Sequence, residues 1–144
     1  MLKTTKSADH PIHTRYPLGI LAQDFLKPRI ESHLGESIEF TLVATDTMDA
    51  ESDSYWIEIK RRLPPYRPDD KYMKEGCLIP ACKILRAYSE SKPIRFYYFF
   101  DSDNSLWFWD FNQKQLEGCV CKVPSFHRDA QPHYYIPIRL WTRV

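Results

Sequence analysis

The segment from Ile94 to Phe111 leaves a chain of this size few ways to fold. It carries IRFYYFF and LWFWDF on either side of Asp101-Ser102-Asp103-Asn104-Ser105. Aromatic and β-branched runs flanking a cluster of turn formers predict the two strands of a β-hairpin. Successive side chains of a strand point to opposite faces, and here Phe96, Tyr98 and Phe100 alternate with Tyr97 and Phe99. Both faces are therefore apolar, which predicts a strand covered on both sides. Such rings can also stack on nucleic-acid bases, but core packing is the stronger claim on them.

The rest of the chain supplies that cover. Leu18, Leu21, Ala22, Phe25, Leu26, Ile30 and Leu34 form a helical stripe, interrupted by Pro28 and stopped at Gly35. A second helix is expected over roughly Leu78 to Ser89, with Leu78, Cys82, Leu85 and Tyr88 or Ser89 on one stripe and Pro80 in its first turn. Leu63 to Asp70 holds Pro64, Pro65 and Pro68 and predicts a stiff loop. Gly118 to Val123 and Tyr134 to Thr142 predict further strands, the latter at an edge because of Pro137. His33 near the end of the first helix is assigned no chemistry, whereas His127 or His133, in the loop between these strands, could serve as an accessory acid or base, although loop histidines are more often simply exposed. The expected fold is an α/β domain with a mixed, largely antiparallel central sheet flanked by helices. An arm over 1–13, polar and without periodicity, would precede a single domain over 14–144.

The chemical signal lies in Ile38 to Arg62, IEFTLVATDTMDAESDSYWIEIKRR, which predicts a second hairpin with its loop within Asp49 to Asp53. Glu58 and Lys60, two apart on a strand, share a face. A lone carboxylate is a poor site for a hard cation, and Asp46, Asp49 and Asp53 are the partners at hand. With a three-residue loop at Glu51-Ser52-Asp53, Ala50 opposes Ser54 and Asp46 opposes Glu58, and opposed residues share a face. Asp46 is the expected partner. Two opposed carboxylates cost roughly 0.2 to 1 kcal/mol, and a bound Mg²⁺ would make the pairing favourable. The same register sets Phe40 and Leu42 on the face of Glu58, whereas a slip of one residue groups them with Ile57 and Ile59.

In these residues the chain resembles the PD-(D/E)xK nuclease superfamily, from about Leu18 to Phe111. The core of that superfamily is a helix, a hairpin with Asp on one strand and Glu-x-Lys on the next, then a helix and further strands. Thr45 stands where the family pattern has Pro. The resemblance implies a restriction-endonuclease-like core and a hydrolase that cuts phosphodiester bonds of nucleic acid with Mg²⁺ or Mn²⁺. It implies Asp46 and Glu58 as metal ligands with the backbone carbonyl of Ile59, and Lys60 orienting the attacking water or stabilising charge on phosphate. Asp24 or Glu31 from the first helix, and Lys83 from the helix after Glu-x-Lys, are implied as accessory residues. Arg61, Arg62 and Arg67 lie beside this site in sequence and are candidates for contact with a phosphate backbone. The alternative expectation is a nuclease-like scaffold that binds nucleic acid or protein without cutting. Nucleic acid, DNA first, is the expected partner, with a homodimer as a further possibility.

A net charge of +1 neither requires nor excludes nucleic acid, since a basic groove can be local. No apolar run approaches the roughly 18 residues of a membrane span and no signal peptide opens the sequence. No membrane partner is expected, and an intracellular location, cytoplasm or nucleoid or nucleus, is. Cys77, Cys82, Cys119 and Cys121 stand at Cys-x4-Cys and Cys-x-Cys, which are not the usual zinc spacings. Reduced, mostly buried thiols are expected. Dithiothreitol should therefore leave the melting temperature within the error of a thermal scan. A structural disulfide adds about 2 to 4 kcal/mol, so a large drop would overturn both the thiol reading and the intracellular placement.

Overall fold

A computed structural model describes residues 24–41, 49–69, 76–124 and 131–144. The chain divides into two compact units, Met1–Ile38 and Glu39–Val144. In the first, a helix (α1) occupies 24–34 and continues through Pro28, where the sequence predicted an interruption. It ends as expected at Gly35, whose positive φ of 73° lets its N–H bond back to the Glu31 carbonyl at 2.8 Å. The expected arm over 1–13 lies outside the described residues.

The second unit holds the sheets. β1 (Glu39–Phe40), β2 (Ala50–Glu51) and β3 (Trp56–Arg62) form an antiparallel meander. β4 (Cys77–Pro80) and helix α2 (Ala81–Ser89) then lead to β5 (Ile94–Phe100) and β6 (Ser105–Asp110). Helix α3 (Gln113–Glu117), β7 (Val120–Lys122), β8 (His133–Ile136), a 3-10 turn over Ile138–Leu140 and β9 (Thr142–Arg143) complete the chain. The main sheet has six strands in the order β1-β2-β3-β5-β6-β9, and β4-β8-β7 form a smaller antiparallel one. Among the described residues only β3 and β5 run parallel, Trp56 aligned with Ile94 and Arg62 with Phe100. Parallel neighbours need a crossover connection, and α2 lies within it. The expected mixed, largely antiparallel sheet is present, and so is the β5–β6 hairpin, Phe96 facing Trp109 and Phe100 facing Ser105.

Both faces of β5 are covered: Phe96 and Phe100 are fully buried on one side, Tyr97 and Phe99 on the other are buried as well. The first face forms one cluster with Ile79, Ile84, Trp109, Leu116, Ile136 and Trp141, where Trp109 stacks on Phe96 at 5.5 Å. Burial of rings on this scale is the main favourable contribution to folding.

Several elements differ from the sequence reading. Leu78 to Pro80 is strand, because Leu78 and Ile79 pair with β8, and the helix starts only after Pro80, its N-cap. The predicted stripe on this helix is not the buried one: Leu85 and Tyr88 are exposed while Ile84 faces the core. Pro137 ends β8 and opens the 3-10 turn, so Tyr134 to Thr142 is not a single strand. His133 is a buried strand residue rather than a loop residue, with Nδ1 2.9 Å from the Gln131 carbonyl. His127 lies outside the described residues. All four cysteines are free, yet Cys82 and Cys121 are exposed rather than buried.

Gly76 fixes the approach of the smaller sheet. Its φ is +118° and a Cβ there would collide with the Ile136 carbonyl oxygen. Gly76→Ala should lower unfolding free energy in urea by about 3 kcal/mol or more. Gly35→Ala, strained in φ but with nothing within 4 Å, should cost about 1 to 2 kcal/mol.

Candidate functional site

The turn between β2 and β3 is closed by Ser52, whose N–H donates to the Tyr55 carbonyl at 2.9 Å while its Oγ accepts the Tyr55 N–H at 3.0 Å. This tight closure sets Glu51 against Trp56 and Ala50 against Ile57. The predicted register, with Ala50 against Ser54, is thereby corrected. Continued by one residue, the observed ladder brings Asp49 to Glu58, and the Asp49 Oδ2 accepts the Ile59 N–H at 2.8 Å. Asp46 lies outside the described residues. Phe40 pairs with Ala50, so it shares the face of Ile57 and not that of Glu58.

Glu58 is 2 % exposed. An isolated carboxylate at that depth is costly, and it is held by ion pairs. Lys60 Nζ stands 3.1 Å from Glu58 Oε2, as the same-face spacing on β3 predicts, and Lys83 Nζ from α2 stands 3.4 Å from Oε1. Lys83 reaches Glu58 because its neighbour Ile84 is the residue that α2 buries. Glu58 Oε1 itself has no hydrogen-bond partner.

The charges perturb one another. Burial, and then the Glu58 carboxylate, push the Asp49 pKa up to about 6 against the Ile59 N–H, Lys60 and Lys83, which lower it. Burial pulls Lys60 down, but Glu58 and Asp49 outweigh it and hold the ammonium above its ordinary 10.5. Lys60 is thus a fixed cation at neutral pH.

Among the residues predicted beside this cluster, the structure sorts three arginines. Arg61 is committed to Asp101, Nε to Oδ1 at 2.8 Å and Nη2 to Oδ2 at 2.6 Å. Arg67 is exposed and pairs with Asp69 at 3.5 Å. Arg62, on the face of Glu58 and Lys60, lies over the Tyr66 ring at 4.2 Å. Asp24 and Glu31 belong to the first unit, where Asp24 is exposed and Glu31 Oε2 accepts the Ile38 N–H at 2.8 Å. The residue that the sequence reading passed over is Asp49. It stood among the partners weighed for Glu58, and the Ser52 to Tyr55 closure that selects it is one backbone bond reinforced by one side-chain oxygen.

Among the described residues no three His, Cys, Asp or Glu side chains converge. The oxygen donors at hand are the carboxylates of Asp49 and Glu58. No described helix is long and apolar enough to cross a membrane. Comparison of the chain with family profiles, curated proteins and solved structures returned no match.

A raised carboxylate pKa makes a signed prediction. Because the folded chain holds the Asp49 proton more tightly than the ordinary 3.8, stability is full below about pH 4 and falls as pH rises through about 6. Asp49→Asn keeps an acceptor for the Ile59 N–H and removes the charge. It should raise unfolding free energy by about 1 to 3 kcal/mol at pH 7.5 and by nothing at pH 4, measured by urea titration at both values.

Proposed function

We propose that the chain is a metal-dependent phosphodiesterase of nucleic acid with a restriction-endonuclease-like core, and that Asp49 takes the place expected of Asp46. The observation that carries this reading is the apposition of Asp49, immediately before β2, with Glu58 and Lys60 on β3, Asp49 being bonded to the backbone between Glu58 and Lys60. The order of elements supports it: helix α1, Asp49 at the entry to β2, Glu-x-Lys on β3, helix α2, and β5 parallel to β3.

The donor set fits Mg²⁺ or Mn²⁺. Two carboxylates, with the Ile59 carbonyl proposed beside them, suit a hard cation that keeps several waters and accepts phosphate oxygens. Glu58 Oε1, which faces Lys83 without accepting a hydrogen bond, keeps its lone pairs for a further ligand. When bound, the metal would polarise the phosphate and lower the pKa of a water. The residues do the remaining work. Asp49 and Glu58 hold the cation, and Asp49 must first give up its proton, so binding should strengthen as pH rises through about 6. Lys60, cationic throughout, places a fixed charge where phosphate oxygens gain negative charge, and its partly buried setting makes that charge act more strongly than in water.

A second reading, a scaffold that binds nucleic acid without cutting, is favoured by one feature. Glu58 is already neutralised by Lys60 and Lys83, so the cluster is balanced without a metal.

Purified protein should cut DNA or RNA with Mg²⁺ or Mn²⁺ and stop in EDTA. Lys60→Gln, which keeps a donor beside Glu58, should lower turnover by about 10²-fold or more with an unchanged circular dichroism spectrum. Asp49→Asn should abolish cutting. Retained binding with no cutting under any metal would favour the second reading. If Asp46→Asn stops cutting and Asp49→Asn does not, the assignment of Asp49 falls.

A further inference from the structure

Lys83 is the component of the cluster that the proposed chemistry leaves without a task. Its ammonium faces Glu58 Oε1 at 3.4 Å, and that oxygen accepts no hydrogen bond. The contact is an ion pair held by charge alone. Lys60 already serves the other oxygen at 3.1 Å from its own strand, so Glu58 has one cation fixed by β3 and one delivered by a helix. Lys83 also has a way out. Its side chain is 18 % exposed and lines a cleft of about 560 Å³ together with Cys82, Arg86 and Gln131. Arg86, the other cation of that wall, is tied to Glu90 at 3.0 Å.

Charge balance says what this arrangement can do. Among the described residues, with Asp49 ionised, two carboxylates meet two ammonium groups and their charges balance. A dication taken up by Glu58 competes for the lone pairs that Lys83 faces and repels its ammonium, leaving the cluster positive next to a cleft open to solvent. An anionic diester is the ligand that restores the balance.

Resting on the proposed metal site, we propose that Lys83 is a shared cation, neutralising Glu58 in the metal-free protein and serving a substrate phosphate in the adjoining cleft once a divalent metal holds Glu58. Lys83 then couples the two ligands: it weakens metal binding alone and makes metal and nucleic acid bind cooperatively.

The test uses the full chain, Mn²⁺ and a short phosphorothioate DNA strand. Calorimetric titration of Mn²⁺ without DNA should give a dissociation constant about tenfold lower for Lys83→Met than for the wild type. Lys83→Arg, which keeps the charge, should stay near the wild type. In fluorescence anisotropy, Mn²⁺ should tighten DNA binding by the wild type, and Lys83→Met should lose most of that gain. A structural role alone would not tighten one ligand while loosening the other. Lys83→Gln provides the same comparison if Lys83→Met folds poorly. Unchanged or weaker Mn²⁺ binding by both neutral variants overturns the sharing, and an undiminished Mn²⁺-dependent gain in DNA affinity overturns the phosphate role. Wild-type protein that takes up no Mn²⁺ overturns the metal site itself, a distinct result.

Discussion

The burial of one carboxylate, Glu58, ties the second unit together. At 2 % exposure its charge cannot be left to solvent, and each of its oxygens faces an ammonium group from a different part of the chain. Lys60 follows from strand alternation alone. Lys83 requires that α2 pack across this face of the sheet, which the buried Ile84 achieves within the aromatic cluster. Hydrophobic packing and charge neutralisation thus demand the same placement of the helix. Removing one partner of a buried pair is far more costly than the pair is worth, so the arrangement constrains the fold even though it adds little net stability.

The same face of β3 and β5 serves two purposes. Glu58, Lys60 and Arg62 align with Phe96, Tyr98 and Phe100 across the parallel pair, so the charged row runs directly beside the aromatic core. Apolar walls weaken screening and strengthen every interaction in the row. Tyr98, buried beside Cys77, has its pKa raised by desolvation first, then by that thiol, despite the nearby Arg62. Arg62 meets this wall too, lying over Tyr66, with a buried Nε that has no hydrogen-bond partner.

What could be read from the sequence was what composition and alternation dictate. Aromatics at every position from Phe96 to Phe100 leave no face for water, and β5 is buried on both sides. Glu58 and Lys60 share a face because strands have a period of two. The register between β2 and β3 was not legible, because it hangs on a single turn. Placing the loop at Glu51-Ser52-Asp53 is as consistent with the composition as the observed closure from Ser52 to Tyr55, yet the two differ by three residues along β2. The start of α2 failed for a related reason. Leu78 and Ile79 fit a helix stripe or a short strand equally well, and only pairing with β8, distant in sequence, decides between them.

The two carboxylates of the site are not equivalent, and the difference comes from their partners. Glu58 has a lysine at each oxygen, whereas Asp49 has a backbone N–H on one oxygen and feels both lysines only at a distance. Burial and repulsion therefore fall on Asp49, whose pKa rises to about 6. Opposed like charges are destabilising, and a protein that retains such a pair, one member buried and the other partly so, departs from local consistency in the manner expected of functional sites. Asp49 therefore takes up a proton as pH falls through about 6. Glu58, with an ammonium group at each oxygen, serves as the fixed point around which sheet, helix and charge are arranged.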